Sequence, residues 1–265
     1  MKDFDLIPYK KLVFKSVFKA SEEILKIYHS KFIAYDNKND LSPITLADTV
    51  SNRIIIDTLN KTDVPIISEE METPEFNLRR NWKYVWLVDP LDGTKEFINQ
   101  KDDFTINIAL IENNSPVFGI VYVPITKELF FGEKGIGSFK IENISNVDEL
   151  ESLPKINLSK CVVPDKFTII ASKSHINSQT SDFINEKKHQ YENIKISYFG
   201  SSLKICKIAE RKANCYPRLG HTMEWDTAAA HAVVKFSGKS LVNYYTKDEL
   251  MYNKESLLNP FFVSE

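Results

Sequence analysis

Two aspartates and a threonine stand close together, directly after a run of apolar residues. Asp89, Asp92 and Thr94 lie in the segment Trp86-Leu-Val-Asp-Pro-Leu-Asp-Gly-Thr-Lys-Glu-Phe97. Two carboxylates at the end of a buried strand cost free energy unless positive charge compensates them, and no Lys or Arg follows before Lys95. Carboxylate oxygens are ligands that Mg²⁺ prefers, so the segment predicts a cation site. The alternative is a strand that ends in an Asp-Gly turn, which explains Asp92 but neither Asp89 nor Thr94.

Further acidic residues stand where helices or strands are expected to begin or end. In residues 42–48, Thr45 precedes a helix and Asp48 follows three residues later, which is typical of a capping box. Glu69 follows a short apolar strand. Asp226 stands at a helix start, where the helix dipole stabilises an acid. Each acid has an ordinary structural explanation when it is taken alone, so these positions are candidates only in combination.

These segments resemble the motifs of the inositol monophosphatase superfamily, which comprises Mg²⁺-dependent, Li⁺-sensitive phosphomonoesterases. The motif Asp-Pro-x-Asp-Gly-Thr-x-x-Phe is complete here, with Asp89, Pro90, Asp92, Gly93, Thr94 and Phe97. A second motif, Ser-Pro-x-Thr-x-x-Asp, spans residues 42–48. The third, Trp-Asp-x-Ala-Ala-Gly, begins at Trp225 and has Ala230 in place of the usual Gly. Ser68-Glu-Glu70 matches a further family element, and the resemblance runs nearly end to end.

The resemblance implies a site for two or three Mg²⁺ ions, with inhibition by Li⁺. The implied metal ligands are the side chains of Glu69, Asp89, Asp92 and Asp226 and the backbone carbonyl of Leu91. Thr94 and Asp48 would position and deprotonate the attacking water, and Glu69 belongs to the same catalytic set. Four converging carboxylates would repel one another without divalent cations. With such cations they suit an in-line displacement at phosphorus without a covalent phosphoenzyme.

Within the superfamily, the chain is most similar to the 3'(2'),5'-bisphosphate nucleotidases of the CysQ type. This similarity rests on residues 68–70, 95–97, 200–204 and 216–218. The substrate-binding residues that it implies are Glu69, Leu91, Asp92, Gly93, Thr94, Ser172, His175, Gly200, Lys204 and Asp226. The implied reaction converts adenosine 3',5'-bisphosphate to AMP and phosphate, and the related phosphosulfate is a second substrate.

Three alternatives stay open at this point. His175 and Lys204 are also explained as solvated surface residues. An inositol-1-phosphate phosphatase of the same superfamily would carry the same metal motifs. A non-catalytic protein that binds phosphorylated metabolites is a further alternative, although every acidic position and Thr94 are intact.

Composition and charge argue against nucleic-acid and membrane-spanning functions. The formal net charge is −2 at pH 7, so no basic excess is present to neutralise phosphates. No stretch approaches the roughly 20 apolar residues that span a bilayer, and the first residues lack the apolar region of a signal peptide. The three scattered cysteines indicate a reducing compartment. We expect a cytoplasmic monomer or homodimer with a small-molecule substrate, and peripheral association with the inner face of the cell membrane stays open.

Apolar periodicity predicts helices, then antiparallel strands, then alternating strands and helices. Helices are predicted at about 8–30, 45–60, 179–188, 203–211 and 224–237. Strands are predicted at about 64–70, 84–88, 104–111, 117–123, 128–132, 137–140, 168–172, 194–198, 214–217 and 240–243. Residues 71–81 are expected to be irregular.

This order of elements indicates a mixed α+β and α/β class. The resemblance implies a layered α-β-α-β-α sandwich of the inositol monophosphatase type. We expect an N-terminal α+β half, residues 1–145, that carries Glu69 and the loop from Asp89 to Thr94. An α/β half, residues 146–265, would carry Asp226 and the nucleotide-contacting segments, and both halves would pack into one catalytic unit.

Overall fold

A seven-stranded sheet forms the centre of the fold. The computed structural model describes residues 4–30, 33–38, 43–163, 165–172 and 177–265. The helices are α1 (Ile7–Tyr28), α2 (Leu46–Leu59), α3 (Phe76–Arg79), α4 (Thr94–Ile98), α5 (Ser178–Gln190), α6 (Leu203–Ala209) and α7 (Glu224–Phe236). The strands are β1 (Tyr35–Asn37), β2 (Pro43–Thr45), β3 (Ile66–Ser68), β4 (Tyr84–Asp92), β5 (Thr105–Glu112), β6 (Ser115–Val123), β7 (Glu128–Glu133), β8 (Gly137–Ile141), β9 (Ile156–Asn157), β10 (Thr168–Ala171), β11 (Lys195–Tyr198), β12 (Tyr216–Arg218), β13 (Leu241–Asn243) and β14 (Phe262–Ser264).

The pairing of β3 with β4 brings two acidic segments to one edge of the sheet. The central sheet has the order β3-β4-β5-β6-β7-β8-β9. β3 and β4 are parallel, and Ser68 pairs with Val88. The carboxyl ends of parallel strands lie at the same edge, so Glu69 and Asp89 emerge side by side. The β4–β5 register shifts between Asp89 and Asp92, so the strand continues irregularly through the acidic segment instead of ending before it.

Alternate residues of β4 face opposite sides of the sheet, as the two-residue period of a strand requires. Trp86 and Val88 belong to an apolar cluster with α1 and α2. Val85 and Leu87 belong to a second cluster with α6 and α7. The sheet is therefore covered by helices on both faces.

Helix α7 lies very close to the central sheet because two strand residues are glycines. A Cβ atom on Gly119 would lie 2.4 Å from the backbone oxygen of Ala229, and one on Gly132 would lie 2.4 Å from that of Ala232. The alanines on this side of α7 are themselves small and buried. This close packing fixes the position of the helix whose first turn carries Asp226.

A second, smaller β layer covers the other side of α6 and α7. Strands β10 and β11 form a parallel pair, and β12, β14 and β13 form an antiparallel sheet. The two are joined by a bridge between Ile169 and Cys215. Helix α5 covers this layer through Phe183 and Ile184. The layers therefore run α-β-α-β-α, as predicted, while the division of the chain at residue 145 stays a prediction.

Most predicted elements are present, with small differences at their ends, but the prediction for residues 71–81 is incomplete. Helix α3 forms there, and its last residue, Arg79, is only 2% exposed. The Arg79 guanidinium donates hydrogen bonds to Asn253 Oδ1 at 3.0 Å and to the Glu255 carbonyl at 2.8 Å. The segment is held by a buried arginine that contacts a loop distant in the sequence, and not by an apolar face. Apolar periodicity therefore could not predict it.

Candidate active site

Three carboxylates from three different elements converge at the edge of the central sheet. Glu69 follows β3, Asp89 lies near the end of β4, and Asp226 lies in the first turn of α7. One ligand oxygen from each residue lies within 4.8 Å of the others. Asp226 also caps its own helix, because its Oδ2 accepts the Met223 backbone N–H at 2.9 Å. The Asp226 side chain therefore caps α7 and also contributes an oxygen to the carboxylate cluster.

Burial and mutual repulsion make this cluster a strong site for positive charge. Burial raises the pKa of Asp89 well above its ordinary value, and the charges of Glu69, Asp92 and Asp226 raise it further. Burial likewise raises the pKa of Asp226, with Asp92 and Glu69 adding to the effect. Three hard oxygen donors in this arrangement fit a divalent cation such as Mg²⁺, which would remove the repulsion.

Asp92 stands beside the cluster and is held by the start of α6. Its Oδ2 accepts the backbone N–H of Ser202 at 2.6 Å and the Ser202 hydroxyl at 3.0 Å. Burial raises the pKa of Asp92, while Lys204 and Ser202 act in the opposite direction. Asp92 is not part of the close three-carboxylate group found among the described residues. One of its oxygens is thus committed to Ser202, which leaves the other for a cation.

Asp48 and Thr94 form a hydrogen-bonded pair next to Leu91. The Thr94 hydroxyl lies 3.0 Å from Asp48 Oδ1 and 3.3 Å from the carbonyl oxygen of Leu91. Asp48 Oδ2 accepts the backbone N–H of Thr45 at 2.8 Å and its hydroxyl at 2.6 Å. The capping box expected from the sequence is therefore present, and Asp48 uses its other oxygen for Thr94. Burial raises the pKa of Asp48, and the hydrogen bonds from Thr45 oppose this.

Lys38 approaches the acidic cluster from the β1–β2 pair. Its Nζ donates to Glu69 at 2.7 Å and to Glu70 at 2.5 Å. Burial alone would lower the pKa of Lys38, but the two carboxylates outweigh it and raise the pKa. The local sequence around Asp89 contains no such cation, so this compensation comes from a residue about fifty positions away.

One cleft is lined by Asp92 and Asp226, called here the acidic end, and by a group of cationic and aromatic residues, called here the cationic end. The residues at that end include Lys101, Lys204, Arg218, Phe199 and Tyr216. Lys204 is only 9% exposed, which contradicts its explanation as a solvated surface residue. Burial lowers the pKa of Lys204 to about 8, although the carboxylate of Asp92 acts to raise it. Its Nζ lies 5.8 Å from the centre of the Tyr216 ring.

Arg218 gives this cleft a buried donor. Its guanidinium donates one hydrogen bond to the carbonyl of His221 at 2.9 Å. Its Nε is buried and has no hydrogen-bond partner among the residues that the structure describes. The Arg218 side chain lines the cleft, so its positive charge favours an anionic group there.

The other predicted substrate-binding residues lie in or near the same cleft. Ser172, Gly93 and Gly200 all line it. The backbone N–H of Gly200 donates to Asp103 at 3.1 Å, and a Cβ atom on Gly200 would lie 2.5 Å from that of Asp103. His175 lies outside the described residues, and its predicted role stays a prediction.

Sequence reasoning missed four residues that the structure places around the site. Ser202 and Arg218 lie within segments that carried the family resemblance, but no role was predicted for them. The sequences around Lys38 and Asn107 did not indicate a role at the site. Lys38 follows β1 and Asn107 lies in β5, and only the fold brings them to the acidic residues. No helix in the described parts of the chain is long and apolar enough to cross a membrane. Localisation and oligomeric state stay predictions.

Comparisons with known proteins identify the family to which the chain is similar. The sequence model of the inositol monophosphatase family matches residues 5–260. The chain is 36% identical over 247 residues to the 3'(2'),5'-bisphosphate nucleotidase CysQ of Salmonella typhimurium, covering 92% of this chain and 94% of that protein. The crystal structure of CysQ from Bacteroides thetaiotaomicron has a TM-score of 0.88 at 39% identity, covering 97% of this chain and 96% of that one.

A more distant structure shares the fold alone. It is an IMPase/NADP phosphatase complexed with Mg²⁺ and phosphate, with a TM-score of 0.76 at 16% identity. The match covers 98% of this chain and 91% of that one. The layered sandwich and the family predicted from the motifs are both confirmed by these comparisons.

Proposed function

The chain belongs to the inositol monophosphatase family, and from this premise we propose that it is a Mg²⁺-dependent 3'(2'),5'-bisphosphate nucleotidase. The proposed reaction adds water across the 3'-phosphoester of adenosine 3',5'-bisphosphate and yields AMP and inorganic phosphate. The related phosphosulfate is the proposed second substrate. The observation that carries the proposal is one cleft lined both by the acids Asp92 and Asp226 and by the cations Lys204 and Arg218.

The acidic end would hold the metal ions. Glu69, Asp89 and Asp226 offer converging oxygens, Asp92 offers its remaining carboxylate oxygen, and Leu91 offers its backbone carbonyl. Bound divalent cations would supply Lewis-acid stabilisation of the charge that develops on the phosphate and lower the pKa of water in the site. We propose two or three ions per site, and inhibition by Li⁺.

Thr94 and Asp48 are suited to orient the attacking water. Thr94 Oγ1 lies 3.0 Å from Asp48 Oδ1, and when it donates its proton to that carboxylate its lone pairs remain to accept a hydrogen bond from water. As water attacks phosphorus, it would pass a proton to Thr94, and the proton of Thr94 would pass to Asp48. Because burial raises the pKa of Asp48, this carboxylate is a better base than an exposed aspartate.

The cationic end is suited to the phosphate that is retained in the product. Lys204 and Arg218 both line the cleft, and Lys204 is largely withdrawn from solvent, so both can place positive charge beside an anionic group. Phe199 and Tyr216 offer aromatic surface for a flat base. Inositol 1-phosphate has neither a second phosphate nor a base, so it would leave these groups unused. The second candidate function, inositol-1-phosphate phosphatase, is therefore less favoured.

The test is phosphate release by the purified protein with Mg²⁺. We expect kcat/KM for adenosine 3',5'-bisphosphate to exceed that for inositol 1-phosphate by at least about tenfold. Asp89→Asn should abolish release while its circular dichroism spectrum stays that of the wild type. A preference for inositol 1-phosphate would reject the nucleotidase proposal. Tight nucleotide binding without phosphate release would favour the non-catalytic binder.

A further inference from the structure

Ser202 joins three elements beneath the acidic cluster. It lies just before α6 and is only 3% exposed. Its backbone N–H and its hydroxyl both reach Asp92 Oδ2, at 2.6 and 3.0 Å. Its hydroxyl also lies 2.5 Å from the backbone carbonyl of Asp226, and it receives a hydrogen bond from the Asn107 amide at 3.0 Å. One buried side chain therefore contacts β4, β5 and α7.

The Ser202 hydroxyl has one proton, and the acceptor of that proton determines its role. A serine hydroxyl carries one proton and can accept from others. Asn107 donates to it, so the Ser202 proton is available either to the Asp226 carbonyl or to Asp92 Oδ2. The backbone N–H of Ser202 already satisfies Asp92 Oδ2, and the contact to the Asp226 carbonyl is the shorter one. The hydroxyl therefore tethers the first turn of α7, while the backbone N–H fixes the orientation of the Asp92 carboxylate.

The neighbouring Ser201 has a different arrangement. Its hydroxyl reaches only backbone carbonyls, those of Asp92 at 2.9 Å and Asp103 at 2.7 Å. It fixes the path of the loop but contacts no carboxylate. Among the hydrogen bonds of the described residues, Ser202 alone links the Asp92 side chain directly to residue 226.

We propose that Ser202 is a positioning residue that sets the distance and orientation between Asp92 and Asp226, and thereby the affinity of the site for Mg²⁺. This inference rests on the proposed function, in which both aspartates are metal ligands. Partners that orient metal ligands typically change metal affinity or activity by about 10–100-fold when they are mutated. Because Ser202 stands two residues before Lys204, it also joins the metal end of the cleft to the segment that carries the cationic end.

The first test is Mg²⁺ binding by Ser202→Ala, measured by calorimetry without substrate. Alanine keeps the backbone N–H but removes the hydroxyl, so the Asp226 carbonyl and the Asn107 amide each lose a partner. We expect Mg²⁺ affinity to fall about tenfold or more and kcat to fall by a similar factor. The KM for the nucleotide should change by less than about threefold, because the cationic end is untouched. Ser202→Thr, which keeps a hydroxyl, should recover most of the affinity.

A matched control separates positioning from general destabilisation. Ser237 is fully buried at the other end of α7, and its hydroxyl donates to the Val234 carbonyl at 2.7 Å. In chelator, Ser237→Ala should lower the melting temperature by an amount comparable to that of Ser202→Ala. It should leave the Mg²⁺ affinity unchanged. If Ser202→Ala does not yield folded protein, Ser202→Cys keeps a weak donor and should show the same loss by a smaller factor.

The proposal is overturned if Ser202→Ala binds Mg²⁺ as tightly as the wild type, or if Ser237→Ala weakens Mg²⁺ binding equally. Failure of the proposed function has a different signature. If wild-type protein binds Mg²⁺, Ser202→Ala binds it more weakly, and neither hydrolyses the nucleotide, then the substrate assignment fails while the positioning role stands.

Discussion

Replacing Lys204 with methionine should weaken binding of adenosine 3',5'-bisphosphate more than it slows bond cleavage. Lys204 is 9% exposed and shares the cleft with Asp92. Methionine keeps a long apolar side chain and removes the charge. A hydrogen bond to a charged group contributes about 1.5–3 kcal/mol, and about 1.4 kcal/mol corresponds to a factor of ten. We therefore expect KM to rise about 10–100-fold and kcat to change less than about threefold.

The pH dependence provides an independent measure of the same residue. Burial lowers the pKa of Lys204 to about 8. The protonated ammonium binds the retained phosphate, so affinity falls as the pH rises through that value. The protonated fraction decreases from about nine-tenths at pH 7 to about one-tenth at pH 9. The predicted fall in kcat/KM, which reports groups of the free enzyme, is therefore about eightfold to tenfold. Lys204→Met should lack this decrease.

The assay compares adenosine 3',5'-bisphosphate with adenosine 3'-monophosphate, which has the same scissile bond but lacks the retained phosphate. Lys204→Met should raise KM for the first substrate and affect the second by less than about threefold. Lys95→Met is a control for loss of a lysine charge, because Lys95 is exposed and does not line the cleft; it should leave both KM values unchanged. Equal losses on both substrates would refute the assignment, as would a fall in kcat at constant KM. Either result would place Lys204 at the reacting phosphate instead of the retained one.

Three further predictions concern the acidic end of the cleft. Thr94→Val should lower kcat about 10²–10⁴-fold at unchanged Mg²⁺ affinity; an equal loss of Mg²⁺ affinity, measured by calorimetry, would mean that Thr94 only shapes the loop. In chelator, the melting temperature should rise as the pH is lowered from neutral toward the ordinary pKa range of an aspartate, because the raised pKa values of Asp89 and Asp226 make the folded protein bind more protons than the unfolded chain. Mg²⁺ should remove this dependence, and a flat profile in chelator would contradict the prediction. Lys38→Met should tighten Mg²⁺ binding at least about twofold, since it frees the proposed ligand Glu69 from an ion pair worth about 0.5 kcal/mol; weaker binding would show that Lys38 supports the site.

The sequence by itself determined those parts of the site that depend on short spacing. The interval from Asp89 to Thr94 lies in one segment, so its residue types alone indicate a metal loop. The capping box of Thr45 and Asp48 spans three residues, and the structure contains it. The alternation that sends Trp86 and Val85 to opposite faces of the sheet is a property of any strand. The sequence also identified the family, because three motifs with fixed positions are complete or nearly so.

Only the tertiary structure decided which distant groups complete the site. Glu69 meets Asp89 because β3 and β4 are parallel, and Asp226 meets both because glycines in the sheet admit α7. Lys38 reaches the acids from a segment whose own sequence contains no sign of this, and the motif around Ser202 did not reveal its contacts with Asp92 and Asp226. Burial sets the charge state of such groups, and burial depends on how the layers pack. Local patterns therefore specify the proposed ligands, whereas the compensation and orientation of their charges arise from contacts between segments far apart in the chain.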